Sequence, residues 1–94
     1  MLIFEGLRPI PVDCYLLRYG EGTHIPPHRD PVTSGRHFRL NVVLREARRG
    51  GRFVCEGAIF SSRRINLFRP DMVEHAVTRI DEGTRIVLSV GWLL

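Results

Sequence analysis

Thr84-Arg85-Ile86-Val87-Leu88-Ser89-Val90-Gly91-Trp92-Leu93 is an apolar, β-branched run of strand length, bounded on its amino side by the turn formers Asp81-Glu82-Gly83. Successive side chains of a strand point to opposite faces, so Arg85, Val87, Ser89 and Gly91 share one side. Ile86, Leu88, Val90 and Trp92 share the other. The central run alternates in the same way, with Arg39, Asn41 and Val43 opposite Leu40, Val42 and Leu44. The ordinary reading is a solvent face backed by a core face; the other is that the polar residues line the mouth of a barrel or sandwich.

Further apolar or β-branched runs lie at Val12 to Tyr19, Ile25 to His28, Phe38 to Leu44, Arg52 to Cys55, Ala58 to Phe60, Ile65 to Phe68 and Glu74 to Ile80. Turn formers separate them at Gly20-Glu21-Gly22, Asp30-Pro31, Thr33-Ser34-Gly35, Gly50-Gly51 and Arg69-Pro70-Asp71. Short strands at a spacing of roughly 8–12 residues predict an all-β sandwich or barrel. Only Arg45 to Arg49 has helical character, and it is too short to nucleate alone.

The 94 residues are expected to form one domain, 1–94, with a single modest core and room for one site. A hydrophobic share of 44% with 26% charged residues is that of a soluble globular protein. No apolar run approaches the roughly 20 residues of a membrane helix. Met1-Leu2-Ile3-Phe4 leads straight to Glu5 without the marks of a signal peptide, so a cytoplasmic location is expected. Cys14 and Cys55 form neither a disulfide framework nor a metal knuckle and read as packing residues. The formal charge of +4 rests on 14 arginines and no lysine, so every side-chain cation is a planar fork suited to carboxylate or phosphate. That allows an acidic partner without identifying one.

His28-Arg29-Asp30 puts two ligand-type side chains at i and i+2, which project from an extended strand to one face. Pro26-Pro27 stiffens the approach and Asp30-Pro31 ends the strand directly after the carboxylate. His75 follows 45 positions after Asp30, near the start of another strand. Two imidazoles and a carboxylate make the facial triad of non-haem iron(II) oxygenases. Zinc accepts the same ligands and stays open as a reading. Of the other histidines, His24 is a candidate for supporting contacts around the metal, and His37, beside Arg36 and Arg39, reads as a surface residue.

The segment His75-Ala-Val-Thr-Arg-Ile-Asp-Glu-Gly-Thr-Arg85-Ile-Val-Leu-Ser89-Val-Gly-Trp92 resembles the carboxyl-terminal half of the double-stranded β-helix of 2-oxoglutarate-dependent oxygenases, particularly the prolyl-hydroxylase-like branch. There a histidine is followed at this distance by a basic residue and then a hydroxyl residue. Tyr19-Gly20-Glu21-Gly22-Thr23, Pro27-His28-Arg29-Asp30, Arg36 to Leu44 and Gly50-Gly51 are similar to the family's other elements, so the resemblance spans about Tyr15 to Trp92. It implies a jelly-roll, cupin-like fold and iron(II) held by His28, Asp30 and His75. It also implies 2-oxoglutarate held by Arg85 with help from Ser89, and dioxygen as co-reactant. The family's carboxylate-binding tyrosine has its counterpart here at Val43, which passes that role to Tyr19 or leaves it unfilled. Gly91 in place of a bulkier residue suggests a roomier pocket. By parity Arg39 and Asn41 face inward, to orient cosubstrate or grip a substrate carboxylate; Arg39 could equally pair with a buried acid.

The resemblance implies hydroxylation of an amino acid or peptidyl residue. The competing readings are oxidative demethylation of nucleic acid, suggested only by the arginine excess, and a cupin-like metal enzyme or acid-binding protein. The clusters at Arg45, Arg48, Arg49, Arg52, Arg63 and Arg64 read as solvated faces. Relatives add helices and long loops for which this chain has almost no room, so a minimal core with exposed sheet surface is expected to self-associate, as a dimer.

Overall fold

The computed structural model describes residues 2–6, 12–32 and 35–94, so the turn expected at Thr33 and Ser34 lies outside the described residues. Eleven strands are present among the described residues: β1 (Leu2–Gly6), β2 (Val12–Tyr19), β3 (Ile25–His28), β4 (His37–Arg45), β5 (Arg49–Gly50), β6 (Phe53–Val54), β7 (Phe60–Ser61), β8 (Ile65–Phe68), β9 (His75–Val77), β10 (Ile80–Glu82) and β11 (Arg85–Leu93). The described residues contain no helix, and the chain is all-β with antiparallel sheets, an arrangement compatible with a sandwich.

β2, β3 and β8 fall where the apolar runs predict them. The differences elsewhere come from pairing. Arg45 to Arg49 forms no helix; its last residue enters β5, which pairs with β10. The run Glu74 to Ile80 divides into β9 and β10, and β10 extends into the expected Asp81-Glu82-Gly83 turn. Ladder hydrogen bonds to another strand override local turn preference there. Gly50 holds φ at 75°, and a Cβ at that position would overlap the Arg79 carbonyl, so the tight join between β5 and β10 requires glycine.

The large sheet runs β1-β2-β11-β4-β8-β7, and smaller ones run β3-β9-β6 and β10-β5. β11 is central, pairing with β2 through Arg85↔Tyr19, Val87↔Leu17, Ser89↔Tyr15 and Gly91↔Asp13. On its other side it meets β4 through Val87↔Val43, Ser89↔Asn41 and Gly91↔Arg39. This register extends a polar row across the sheet, since Asn41 pairs with Asn66 and Asn66 with Ser61.

The alternation along β11 resolves against its ordinary reading. Arg85, Val87, Ser89 and Gly91 are all buried, whereas Ile86, Leu88, Val90 and Trp92 stay partly exposed. The polar-bearing face looks inward because β6 and β9 of the small sheet pack over it. Phe53 and Phe68 meet across the gap with ring centroids 4.9 Å apart, and Phe68 lies 5.0 Å from His75. The fully buried apolar residues Val43, Phe68, Ile80 and Val87 contribute about 1.5–3 kcal/mol each by leaving water. The outer face, by contrast, carries Leu16, Leu40, Val42, Leu67, Leu88 and Val90 without complete cover.

Candidate metal centre

β3 and β9 bring the two histidines together. His28 and His75 are direct partners across that ladder, with ring centroids 4.3 Å apart. Asp30 lies just beyond β3, where its backbone N–H donates to the Pro70 carbonyl at 2.7 Å. Its carboxylate reaches both rings: Oδ1 is 3.5 Å from His28 Nε2 and Oδ2 is 3.3 Å from His75 Nε2. One ligand atom from each of the three residues lies within 4.8 Å of the others. Among the described residues, this is the group of histidine, cysteine and carboxylate side chains that could hold a metal ion.

The rings are also oriented for that task. His28 Nδ1 is 2.8 Å from the Pro26 carbonyl and His75 Nδ1 is 3.1 Å from the Val73 carbonyl. A carbonyl only accepts, so Nδ1 donates in both rings, and that bond turns each Nε2 toward Asp30. Such outer hydrogen bonds fix tautomer and ring angle before a cation arrives. His75 is buried against Phe68 and Phe53, His28 is half-buried, and Asp30 is 52% exposed. The triad therefore stands at the mouth of a cavity.

That cavity has a volume of about 410 Å³ and is lined by residues of both sheets, the triad among them. Tyr19, Arg39, Asn41, Arg85 and Ser89, all named from the sequence, line it too. Arg85 is only 5% exposed and has no carboxylate within ion-pair reach among the described residues. Its Nη1 donates to the Gly51 carbonyl at 2.9 Å, while its buried Nε has no partner. Burial pushes the Arg85 pKa down, against the opposing pull of Tyr19 and Glu46. Burial raises the pKa of Tyr19, outweighing the nearby guanidinium. A buried cation without an ion-paired acid is costly, and an anionic group brought beside it offsets that cost.

Ser89 is engaged elsewhere. Its hydroxyl accepts from Arg39 Nη1 at 2.6 Å and donates to Asn41 Oδ1 at 2.6 Å. Arg39 Nη2 reaches Asp13 Oδ1 at 2.7 Å, so Arg39 has an acid partner inside the protein. The guanidinium crosses over Gly91, where a Cβ would overlap it. The extra room expected from Gly91 is thus filled by Arg39.

His24 is exposed and lines a separate apolar groove with Pro26 and Pro27. His37, read from sequence as a surface residue, instead lines the triad's cavity, with its Nδ1 buried and unpartnered. Burial and then Arg39 lower its pKa, while Asp13, Asp71 and Asp30 pull it upward. Sequence reasoning also passed over Asp13, Tyr15 and Phe53. Parity would have found the first two, which share a face of β2 with Leu17 and Tyr19, and would have placed His37 with Arg39 and Asn41.

No protein-family model matches this chain, and a search of curated proteins finds no similar sequence.

Proposed function

We propose that this chain is an iron(II)- and 2-oxoglutarate-dependent dioxygenase that hydroxylates an amino acid or peptidyl residue, built on a minimal double-stranded β-helix. The observation that carries the reading is Arg85, a buried guanidinium with no carboxylate in ion-pair reach among the described residues, in the same cavity as the His28–Asp30–His75 group. A dicarboxylate that reaches from the triad toward Arg85 satisfies both ends of that cavity at once.

His28, Asp30 and His75 are the residues that would hold the metal ion, and they line the cavity that also contains Arg85. Iron(II) held there, with 2-oxoglutarate and dioxygen, supplies the oxidising equivalents for placing oxygen into a C–H bond, with succinate and carbon dioxide as co-products. The protein's own residues bind, orient and exclude water. The Pro26 and Val73 carbonyls hold both rings with Nε2 toward Asp30, the orientation in which the three residues would share a metal ion. Arg85 grips the distal carboxylate, and Tyr19, directly opposite it in the β2–β11 register, is the hydroxyl placed to help. Ser89 holds Arg39 in place instead. Phe53, Phe68 and Val87 supply the apolar wall.

The proposed setting is the cytoplasm, where the free thiols of Cys14 and Cys55 persist, and the proposed assembly is a dimer through the outer face of the large sheet. No helix among the described residues is long and apolar enough to cross a membrane.

The test is an anaerobic titration of the metal-free protein with iron(II) and then 2-oxoglutarate, followed by visible absorption. A charge-transfer band in the wild type that is lost in Arg85→Ala is the expected result. Tight metal binding without that band would replace this reading with a cupin-like metal enzyme or acid-binding protein.

A further inference from the structure

A second cavity, of about 510 Å³, shares Arg85 and Phe53 with the first but contains none of the triad. Arg48, Arg49, Arg52 and Arg63 line it together with Arg85, against one lining carboxylate, Glu46. Arg63 holds that carboxylate through two bonds of 2.9 Å, and Arg48 and Arg49 share Glu82 at 3.6 and 3.3 Å. Arg52 and Arg85 have no carboxylate in ion-pair reach among the described residues. Ser61, Ser62 and Asn66 complete the polar lining, with the Ser61 hydroxyl donating to Asn66 Oδ1 at 2.7 Å and the Ser62 hydroxyl to the Ile65 carbonyl at 3.2 Å.

Exposed arginines alone would amount to a solvated face. Arg85 sets this cavity apart from such a face, because it is only 5% exposed, carries an unpartnered Nε, and lines this cavity as well as the other. We propose that the arginine-rich cavity binds a small anion bearing two or more adjacent phosphates. The guanidinium fork matches tetrahedral oxyanions in two-point contacts, and the volume exceeds what one phosphate needs. Two cations lacking acids, set among three whose carboxylates are shared, call for more than one negative charge. This binding does not depend on the dioxygenase reading. Where that reading also holds, Arg85 can serve one anion at a time, so phosphate binding and 2-oxoglutarate binding oppose each other reciprocally.

The experiment is calorimetric titration of the metal-free full chain with inorganic triphosphate and with ATP at about 0.15 M salt. One-to-one binding is expected, weakened about tenfold or more in the Arg52→Gln/Arg63→Gln double variant, as befits one or two lost charge-assisted hydrogen bonds. Zinc affinity at His28, Asp30 and His75 should be unchanged in that variant, which verifies its fold. NMR shifts on adding triphosphate should centre on Gly51, Arg52, Ser61 and the Arg85 Nε–H. Tighter binding of ATP than of triphosphate would assign a nucleotide, and equal binding the phosphate chain alone. The proposal is overturned by no binding up to about 1 mM, or by affinity that survives the double variant. A single-stranded oligonucleotide binding more tightly than either, with steep salt dependence, would overturn it in favour of a nucleic-acid surface.

Discussion

His28 and His75 face each other as direct partners across β3 and β9, and each ring is tied through Nδ1 to the carbonyl two residues before it. The same short-range bond made twice aims both Nε2 atoms at Asp30. Metal affinity should therefore reside in three side chains and little else. His28→Ala, Asp30→Ala and His75→Ala should each abolish binding of cobalt(II) or iron(II), read by calorimetry, whereas His24→Ala should leave it within a small factor. Complete loss in His24→Ala would show that the ligand set is wrong.

Arg85 should sacrifice stability for binding. Its desolvated charge has no carboxylate in ion-pair reach among the described residues, so Arg85→Met should leave the metal-free protein as stable as the wild type or up to about 3 kcal/mol more stable. The lost bond to the Gly51 carbonyl offsets about 1 kcal/mol of that gain. Urea unfolding measures it. A variant destabilised by several kcal/mol would make Arg85 a structural residue rather than an anion anchor.

His37 should make the protein acid-sensitive. Its folded pKa lies below its unfolded value, so its contribution is fully present above about pH 6.5 and is lost as pH falls toward the folded pKa. Between about pH 7.5 and pH 5.5 the metal-free wild type should lose more stability than His37→Gln. Equal losses would mean that His37 titrates as it does in the unfolded chain.

Two glycine substitutions should separate backbone conformation from close approach. Gly22 has φ of 84° with no atom near a built Cβ, so Gly22→Ala should cost about 1–2 kcal/mol for its left-handed backbone alone. Gly50→Ala adds the overlap with the Arg79 carbonyl and should cost clearly more, opening the β5–β10 join. Similar denaturation midpoints for the two would show that the join can shift at little cost.

The apolar outer face of the large sheet should drive self-association. Sedimentation velocity is expected to show a dimer that Val90→Glu converts to monomer, since Val90 lies on that face at the centre of the sheet. A wild-type monomer at high concentration would leave the face to some other cover.

Much of the candidate site was legible because its signals are short. His28 ends β3 and Asp30 stands two residues further on, just beyond that strand, so the two ligand-type side chains lie close together in the sequence itself. The Asp13–Arg39–Ser89 network was not legible, since it joins β2, β4 and β11 from distant parts of the chain. Only the register Asp13↔Gly91↔Arg39 shows why Arg39 finds its acid across a glycine. The short strand β5 was missed for a related reason: two residues carry no periodicity, and pairing with β10 alone makes them a strand.

Local chemistry in the sequence determined where the long strands run, which residues alternate on them, and which side chains could hold a metal. Those properties depend on neighbours within a few residues. Tertiary structure alone decided which face of β11 is inside, that Ser89 serves Arg39 while Tyr19 stands beside Arg85, and that Arg85 lies buried where two cavities meet. Each of these turns on how strands far apart in the chain are paired and stacked. The periodicity of a single strand is the same whichever face is covered.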